Sequence, residues 1–440
     1  MVTDKGFKYV VDKLISNGFK AYLVGGGVRD FLLKKKCHDF DVATSALPEQ
    51  IISVFDSEKK VLSGLKHGTV GVVCYGKVYE ITTFRKDDEY LDNRHPSSVQ
   101  FVDDLKEDLA RRDFTINALA YSEKEGVIDY FGGIKDLQNK VIKCVNDPNK
   151  RFKEDALRIL RALRFSSQLS FRIDVKTERA IFADKELLKN ISAERIADEL
   201  YKILTGNNVY EVLTRYREVI AVVIPELAPC FDFDQRSVYH SLTVYDHIAN
   251  SVELAKRDKT IRLALLLHDI GKPERFTLDE RGRGHFYGHP KASAEIAKKI
   301  LKRLKVDKES YFTIIKLIDK HDEVLPETPS AVKRALKELG DKKFYMLLIM
   351  QEADTKAHSK RGVRIRLKHL YEIKRIYSLI KRENQCYSLK MLAVSGNDLK
   401  ELGYSGVETG EALNFLLDAV IDDKVKNEKK DLINFLNDRT

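Results

Sequence analysis

The hydrophobic residues of this 440-residue chain change their spacing once. Up to about residue 141, short β-like runs mix with helical segments, whereas beyond residue 147 the apolar residues recur three or four positions apart. The first pattern predicts a small mixed head and the second an all-helical remainder, so the expected fold class is α+β. A single core rarely grows to this length. Interruptions of the helical spacing near residues 227–234 and 384–388 therefore predict four domains, which are residues 1–141, 142–228, 229–383 and 384–440.

The charge balance favours a polyanionic partner such as a nucleic acid. Lys and Arg number 77 against 67 for Asp and Glu, which gives a formal net charge of +10. A basic protein without such a partner remains the alternative. The five cysteines are scattered, which excludes a disulfide framework and fits a reducing compartment. Because no signal peptide is evident and no apolar run approaches the ~20 residues that cross a bilayer, we expect a cytoplasmic protein without membrane contact.

Four strands are predicted in the head from their content of β-branched and aromatic residues. A tight turn at Gly76-Lys77 should join the last two of them. The segment 85–102, rich in Asp, Asn, Pro and Ser, is longer than most loops of compact domains and is either functional or a disordered insertion. The predicted strands are Ala21–Val24, 40–43, 69–75 and 78–84.

A glycine-rich turn and two acids form the first chemical pattern. The run YLVGGGVRD leads from a strand into a helix that should begin near Val28, and such a turn can bind phosphate through backbone N–H groups. Asp39 and Asp41 alternate along the next strand, so both carboxylates should leave one face while Phe40 enters the core. Paired carboxylates with substrate phosphates suit Mg²⁺, and Glu80 is a candidate third acid. Solvated edge residues are the alternative.

Six ordered motifs identify a family. They resemble the class II tRNA nucleotidyltransferase and poly(A) polymerase family and read GGGVRD, HDFDVATSALPEQ, EITTFR, RRDFTINALA, DYFGGIKDL and EDALRILRALRF. The resemblance implies a polymerase-β-like head, a helical neck, a further helical body and a tail. It also implies that Asp39 and Asp41 hold two magnesium ions while an RNA 3′-hydroxyl attacks a nucleoside triphosphate. Cys37-His38 stands where the family usually has Lys.

The resemblance also implies the nucleotide-binding residues. Asp155 and Arg158 should lie one turn apart on a regular helix over 154–165, although an ordinary surface ion pair has the same spacing. The carboxylate can accept a hydrogen bond from the amino group of cytosine or adenine, and the guanidinium beside it can donate one to the adjacent ring nitrogen. The family uses this pair to select CTP and ATP. The implied nucleotide-binding residues are Gly25, Gly26, Arg29, Arg111, Arg112, Asp113, Asn117, Asp155, Arg158, Arg161 and Arg164.

Histidines mark a second predicted site. Six of the eleven histidines lie between His240 and His321, which suggests a metal. The order His247, then His268-Asp269, then Asp354 resembles the HD phosphohydrolase superfamily, and His289 and His321 occupy places where some members add ligands. Imidazole with carboxylate suits Mn, Ni, Co or Fe, and Mg is a further option. Phosphoester hydrolysis at this second divalent-metal site is a hypothesis.

The segment from Lys356 to Arg382 contains ten basic residues and one acid, Glu372. It is the predicted surface for tRNA phosphates, against the alternative of a solvated basic helix face. The implied activity is template-independent addition or repair of the tRNA 3′-CCA end with CTP and ATP. A poly(A) polymerase or A-adding enzyme is the nearest alternative. An HD phosphohydrolase with a non-catalytic RNA-binding head, or an RNA chaperone without metal-dependent function, are alternatives of other classes.

Overall fold

The computed structural model describes residues 4–37, 40–87, 99–237 and 241–438. Contacts within the chain define two compact units, Met1–Pro225 and Glu226–Thr440. The first unit contains a large sheet, and the second is almost entirely helical. This confirms the predicted α+β class. The finer division into four domains stays a prediction.

The first unit is built from eleven strands and eleven helices within its described residues. The strands are β1 Ala21–Val24, β2 Asp41–Thr44, β3 Lys59–Val61, β4 Thr69–Cys74, β5 Lys77–Thr83, β6 Arg85–Asp87, β7 Val99–Phe101, β8 Leu119–Ser122, β9 Gly126–Asp129, β10 Val141–Ile142 and β11 Arg172–Ile173. The helices are α1 Lys5–Ser16, α2 Gly26–Leu32, α3 Pro48–Val54, α4 Leu105–Ala110, α5 Gly133–Gln138, α6 Pro148–Glu154, α7 Leu157–Leu169, α8 Val175–Asp184, α9 Ala193–Leu204, α10 Val209–Arg215 and α11 Arg217–Val223.

A seven-stranded sheet in the order β3-β4-β5-β2-β1-β8-β9 organises the first unit. Strands β2 and β5 run parallel, and the other neighbours are antiparallel. Central strand β1 is buried along its whole length, which explains its uninterrupted apolar sequence. The pairing of Val24 with Asp41 brings the end of β1, and the glycine turn after it, beside the first residue of β2.

The hairpin between β4 and β5 differs from its prediction by one residue. Tyr75 and Gly76 occupy the turn, both with positive φ (49° and 74°), and Lys77 already belongs to β5. Two consecutive residues with positive φ characterise a two-residue type I′ turn. The predicted Gly76-Lys77 turn is therefore wrong, because Tyr75 adopts the left-handed conformation despite its side chain.

Other strands of the sheet were missed by the sequence prediction. Strand β8 is almost wholly buried and shows no alternation of polar and apolar residues, and β3 has only three residues. The predicted loop over 85–102 is also partly wrong, because its ends pair as β6 and β7. Residues 88–98 of that loop lie outside the described part of the chain.

The second unit contains ten helices and one short hairpin within its described residues. The elements are α12 Val244–Leu254, α13 Lys259–Leu267, β12 Thr277–Leu278, β13 Gly284–His285, α14 His289–Arg303, α15 Lys308–Lys320, α16 Pro329–Leu339, α17 Asp341–Ala357, α18 Lys360–Arg382, α19 Gly396–Glu401, α20 Gly406–Ile421 and α21 Lys429–Asn437.

Three helix pairs pack closely, which are α12 with α17, α14 with α15, and α13 with α15. Helices α19–α21 form a further core with Leu399, Leu416 and Leu432. Across the described ranges, every helix is too short or too polar to span a bilayer.

Candidate functional site

An open polar cleft of about 560 Å³ lies in the first unit. The glycine turn after β1, the segment after α4 and helices α7 and α9 supply its walls. Seven arginines and four aspartates line it, so guanidinium groups outnumber carboxylates along its walls and offer N–H donors to an anion. The lining residues are Gly25, Gly26, Gly27, Arg29, Asp30, Asp41, Arg111, Arg112, Asp113, Asn117, Asp155, Leu157, Arg158, Arg161, Arg164, Phe165 and Arg195.

The glycine turn brings backbone close to charged side chains. Gly25 has φ +70°, a conformation that favours glycine, and its N–H donates to the carbonyl of Leu119 at 3.1 Å. A Cβ atom at Gly25 would lie 2.8 Å from Nη1 of Arg112 and 3.9 Å from Oδ2 of Asp41. Because Gly25 has no side chain, Arg112 and Asp41 have room to lie next to the turn. Helix α2 begins at Gly26, so the predicted start near Val28 is wrong.

Two of the three predicted acids fall within the described residues. Asp41 is exposed at the start of β2 and lines the cleft. Parallel pairing of Val42 with Ile81 places the exposed Glu80 beside Asp41 on the same sheet face, although Glu80 is not among the cleft-lining residues of the described chain. Asp39 lies outside the described residues. The sheet register therefore brings Glu80 near Asp41, and the shared role of the three acids stays a prediction.

A hydrogen-bonded chain links four of the predicted nucleotide-binding residues. Arg161 donates to Oδ2 of Asp113 from Nε at 2.8 Å and from Nη2 at 2.5 Å. Asn117 donates to Oδ1 of the same carboxylate at 3.0 Å and accepts from Nη1 of Arg29 at 2.7 Å. Burial alone would raise the pKa of Asp113, but Arg161 and these hydrogen bonds lower it to about 2. Asp113 is therefore ionised at neutral pH and orients both arginines.

The ring of Phe165 contacts three of the cleft guanidinium groups. Arg164, Arg29 and Arg161 place their guanidinium carbons 4.3, 5.1 and 5.6 Å from its centroid. An aromatic face attracts cations, so the phenyl ring helps to hold three positive charges together. Arg164 also donates to Glu199 at 2.9 Å.

The structure corrects the predicted arrangement of Asp155 and Arg158. Helix α6 ends at Glu154, Asp155 has extended backbone with φ −141°, and α7 begins only at Leu157. A regular helix over 154–165 is therefore wrong, because the side chain of Asp155 accepts from the N–H of Leu157 at 3.1 Å and stabilises a break. Both predicted residues still line the same cleft.

Asp155 and Arg158 each form an ion pair with a third residue and not with each other. Asp155 accepts from Nη2 of Arg195 on α9 at 2.9 Å. Arg158 donates to Oε2 of Glu154 at 2.7 Å and to the carbonyl of Arg111 at 2.9 Å. Sequence reasoning missed Arg195 and Glu154. For Arg195 no local signal exists, because a contact across forty residues depends on the packing of α7 against α9.

All six predicted HD residues converge in the second unit. His247 lies on α12, His268 and Asp269 follow α13, and Asp354 lies on α17. His289 begins α14, and His321 follows α15. Two groups of three residues, which share His268, could each hold a metal ion. Within each group, the ligand atoms all lie within 4.8 Å of one another. The groups are His247, His268 and Asp354, and His268, Asp269 and His321.

Backbone carbonyls fix the orientation of three histidines in this cluster. Nδ1 lies 2.7 Å from the Leu265 carbonyl in His268, 2.9 Å from that of Phe286 in His289, and 2.7 Å from that of Ile318 in His321. Because a carbonyl only accepts, each Nδ1 donates and each Nε2 faces the carboxylates. Histidine ligands are commonly oriented in this way by their second nitrogen.

Buried carboxylates make the cluster attractive to a cation. Nζ of Lys272 is 2.7 Å from Oδ2 of Asp269, yet neither oxygen of Asp269 accepts a hydrogen bond of normal geometry from a described residue. Burial opposes the charged form of His268, but Asp269 and Asp354 outweigh it and raise its pKa. Burial lowers the pKa of the adjacent His358 to about 4. The donor set fits a divalent metal, and Lys272 and His358 are neighbours that the sequence motif did not include.

The predicted basic surface is smaller than its sequence suggests. Helix α17 contributes acids that precede Lys356 in sequence, so they were not counted with the segment from Lys356 to Arg382. Glu352 pairs with Lys356 and Lys374, and Asp341 pairs with Lys381. Exposed basic side chains remain on α18, among them Arg364, Arg366 and Lys368.

Three family models match consecutive parts of the chain. Residues 21–143 match the poly A polymerase head domain, residues 170–231 the probable RNA and SrmB-binding site of polymerase A, and residues 238–355 the HD domain. A relative from Staphylococcus epidermidis named CCA-adding enzyme is 41% identical over 271 residues, which are 62% of this chain and 66% of that relative. One of the same name from Lactobacillus helveticus is 52% identical over 197 residues, which are 45% and 49% of the two chains. The chain thus spans about half to two thirds of the length of these relatives.

Solved structures of similar fold cover the chain almost completely. The Bacillus stearothermophilus CCA-adding enzyme in complex with CTP has a TM-score of 0.71 and 29% identity, and the match covers 99% of this chain and 98% of that one. The Thermotoga maritima CCA-adding enzyme complexed with tRNA has a TM-score of 0.61 at 21% identity, covering 100% and 97%. The second likeness concerns the fold alone.

Proposed function

Because the chain belongs to the class II tRNA nucleotidyltransferase and poly(A) polymerase family and carries an HD domain, we propose that it builds or repairs the 3′-CCA end of tRNA from CTP and ATP. In this reaction the RNA 3′-oxygen forms a bond to the α-phosphorus of the nucleotide. The bond from that phosphorus to the bridging oxygen breaks, and pyrophosphate leaves. The names of the relatives support this proposal.

The observation that carries the proposal is the arginine-lined cleft beside Gly25 and Asp41. A guanidinium has five N–H donors, and pairing with a carboxylate uses only some of them. The remaining donors of oriented arginines can bind triphosphate oxygens without a large loss of side-chain entropy. The carboxylate pairs are Arg29–Asp30, Arg111–Asp108, Arg112–Asp108, Arg158–Glu154, Arg161–Asp113, Arg164–Glu199 and Arg195–Asp155.

Base selection is assigned to Asp155 and Arg158. The Asp155 carboxylate would accept from the amino group of cytosine or adenine, and Arg158 would donate to the ring nitrogen. Uracil and guanine present a carbonyl to the acid and an N–H to the arginine, so both contacts become unfavourable. The common cleft location of the two side chains supports this role.

Magnesium is the proposed cofactor of the cleft. Carboxylate oxygens are the hard ligands that Mg²⁺ prefers, and the exposed Asp41 beside the glycine turn fits this chemistry. Asp39 and Asp41 would hold it, with Glu80 as a neighbouring acid. Bound there, magnesium would activate the RNA 3′-hydroxyl and stabilise the leaving pyrophosphate.

A nucleotide-omission experiment tests the proposal. The full chain is incubated with tRNA that ends before CCA and with CTP alone, ATP alone or both. We expect two cytidines with CTP alone and CCA with both nucleotides. Long adenosine tails with ATP alone would favour a poly(A) polymerase, and a single A added only to tRNA that already ends in CC would favour an A-adding enzyme. Asp41→Asn should abolish addition while far-UV circular dichroism stays unchanged.

The HD cluster carries a second proposed activity, hydrolysis of phosphoesters with a divalent metal. Its support is the convergence of six imidazole and carboxylate side chains in the second unit. Metal-loaded protein should hydrolyse bis(p-nitrophenyl) phosphate, and His268→Ala should remove this activity. If hydrolysis persists in that variant, the cluster is not its site.

The exposed side chains of α18 and the thiols of the chain support the proposed tRNA contacts and cellular compartment. Arg364 and Lys368 on α18 are the proposed contacts for tRNA phosphates. Cys74, Cys144, Cys230 and Cys386 are free thiols, which supports a reducing compartment such as the cytoplasm.

A further inference from the structure

A buried acid outside the predicted site lies beneath two of the cleft arginines. Asp108, on α4, has a side chain only 1% exposed. Buried carboxylates are rare unless they are paired, and both of its ion-pair partners are arginines that line the cleft. We propose that Asp108 is a positioning residue that orients Arg111 and Arg112 toward the triphosphate. This inference rests on the proposed nucleotidyl transfer and adds a determinant of nucleotide affinity to it.

The geometry joins one carboxylate to two guanidinium groups. Oδ1 of Asp108 accepts from Nε of Arg111 at 3.0 Å and from Nη2 at 2.8 Å. Oδ2 accepts from Nη2 of Arg112 at 3.3 Å. The backbone N–H of Arg85 is 3.4 Å from Oδ1. Both donors of Arg111 lie on one edge of its guanidinium and share one carboxylate oxygen, so Asp108 holds this edge and thereby orients the side chain.

The opposite end of Arg112 contacts the glycine turn. Its Nη1 would lie 2.8 Å from a Cβ atom at Gly25, so this group occupies the space that the missing side chain leaves. Arg112 therefore spans from the buried acid to the backbone that is proposed to bind phosphate. If Asp108 released it, the guanidinium could rotate away from this turn.

The backbone of the same segment is held by the predicted base-selecting region. Arg158 donates to the carbonyl of Arg111 at 2.9 Å, and Arg151 donates to the carbonyl of Ala110 at 3.1 Å. These contacts satisfy the last carbonyls of α4. Arg158 and Arg151 hold the end of α4 independently of Asp108. We therefore expect loss of Asp108 to disorient the side chains of Arg111 and Arg112 more than it displaces α4.

Electrostatics gives Asp108 a second effect on the pair. Burial would raise its pKa, but Arg111 and Arg112 outweigh burial and lower it. The acid is therefore charged at neutral pH and limits the repulsion between two adjacent guanidinium groups. An uncharged replacement leaves both arginines without this compensation.

Equilibrium binding of inorganic tripolyphosphate to the full-length protein tests the inference by calorimetry. We expect Asp108→Asn to weaken binding about tenfold or more, because a charge-assisted contact to each arginine is lost. Asp108→Glu retains the charge but moves it by one methylene, so we expect binding between wild type and Asp108→Asn. If Asp108→Asn does not fold, the comparison of Asp108→Glu with wild type decides, and equal affinity overturns the inference.

Asp104→Ala is the matched control. Asp104 is exposed and caps α4 by accepting from the N–H of Lys106 at 2.8 Å. Alanine removes this cap and so weakens the same helix without touching the arginines. It should leave tripolyphosphate affinity unchanged. A loss equal to that of Asp108→Asn would show that helix stability, not arginine orientation, controls binding, and would overturn the inference.

Steady-state kinetics separates this inference from the function on which it rests. In Asp108→Asn we expect KM for CTP and ATP to rise by a similar factor, with kcat within about threefold of wild type. A large fall of kcat at unchanged KM contradicts a positioning role. If wild-type protein adds no nucleotide, the proposed function fails, while the tripolyphosphate measurement still decides whether Asp108 orients the arginines.

Discussion

Arg195 donates from Nη2 to Oδ2 of Asp155 across 2.9 Å, and this contact joins α9 to the break between α6 and α7. The other oxygen of Asp155 accepts from the N–H of Leu157. A carboxylate with both oxygens engaged has a defined plane. The acid that is proposed to select the base is therefore oriented by a residue far away in sequence.

The first prediction concerns base selection. We expect Asp155→Ala to reduce discrimination of CTP from UTP more than it slows incorporation of CTP, because the acceptor for the amino group is lost. Arg195→Met should lower the same ratio of kcat/KM values by about five- to tenfold, which corresponds to one weakened charged hydrogen bond of about 1 to 1.4 kcal/mol. Single-nucleotide incorporation measures both effects.

The exposed Asp198 on the same helix supplies a control for that comparison. Asp198→Asn should retain the wild-type ratio. If Arg195→Met is as selective as Asp198→Asn, the contact with Asp155 has no role in recognition.

Local sequence patterns predicted the elements whose signal is short-range. Strand β1 and the paired strands β4 and β5 followed from apolar runs and the glycine between the last two, whereas the HD residues followed from a resemblance to a known superfamily. The partner of Asp155 could not be predicted, because Arg195 reaches it only through the packing of α9 against α7. Glu154 did have a local signal, since it lies four residues before Arg158, and the sequence prediction overlooked it. Acids of α17 that pair with the basic segment were missed for the same reason as Arg195, since tertiary contacts bring them there.

The second prediction concerns acid stability. The pKa of Asp113 is lowered to about 2 in the folded chain, so its contribution to stability is fully present above about pH 4 and is lost as the pH falls toward 2. The shift corresponds to roughly 2 kcal/mol. Asp113→Asn should therefore lower the melting temperature more at pH 7 than at pH 3.

Thermal denaturation followed by far-UV circular dichroism measures this difference, since the chain contains no tryptophan for fluorescence. An equal decrease in melting temperature at both pH values would contradict the charged pair of Asp113 with Arg161.

The third prediction concerns the metal of the second unit. After incubation with Mn²⁺ and removal of free ions, wild-type protein should retain at least one ion per chain by elemental analysis, because buried carboxylates and imidazoles converge there. His268→Ala should lose most of it. His369→Ala is a control, since this histidine pairs with Glu327 outside the cluster. Equal retention by both variants would contradict the proposed site.

The fourth prediction concerns tRNA binding. Replacing Arg364 and Lys368 with glutamine should weaken tRNA binding and reduce the steepness of its salt dependence by about two in the log–log slope, as expected for two lost phosphate contacts. Lys342→Gln, which changes an exposed lysine paired with Glu309, is the control. An unchanged slope in the double variant would place the tRNA elsewhere.

Sequencing of tRNA 3′ ends decides whether this protein adds CCA through the cleft of the first unit. Transcripts lacking CCA are incubated with the full chain, magnesium and all four nucleoside triphosphates. We expect the extended molecules to end in CCA and the Asp41→Asn variant to leave the ends unextended. Ends extended without regard to base, or ends of wild-type reactions that remain unextended, would contradict nucleotide addition directed by the side chains of this cleft.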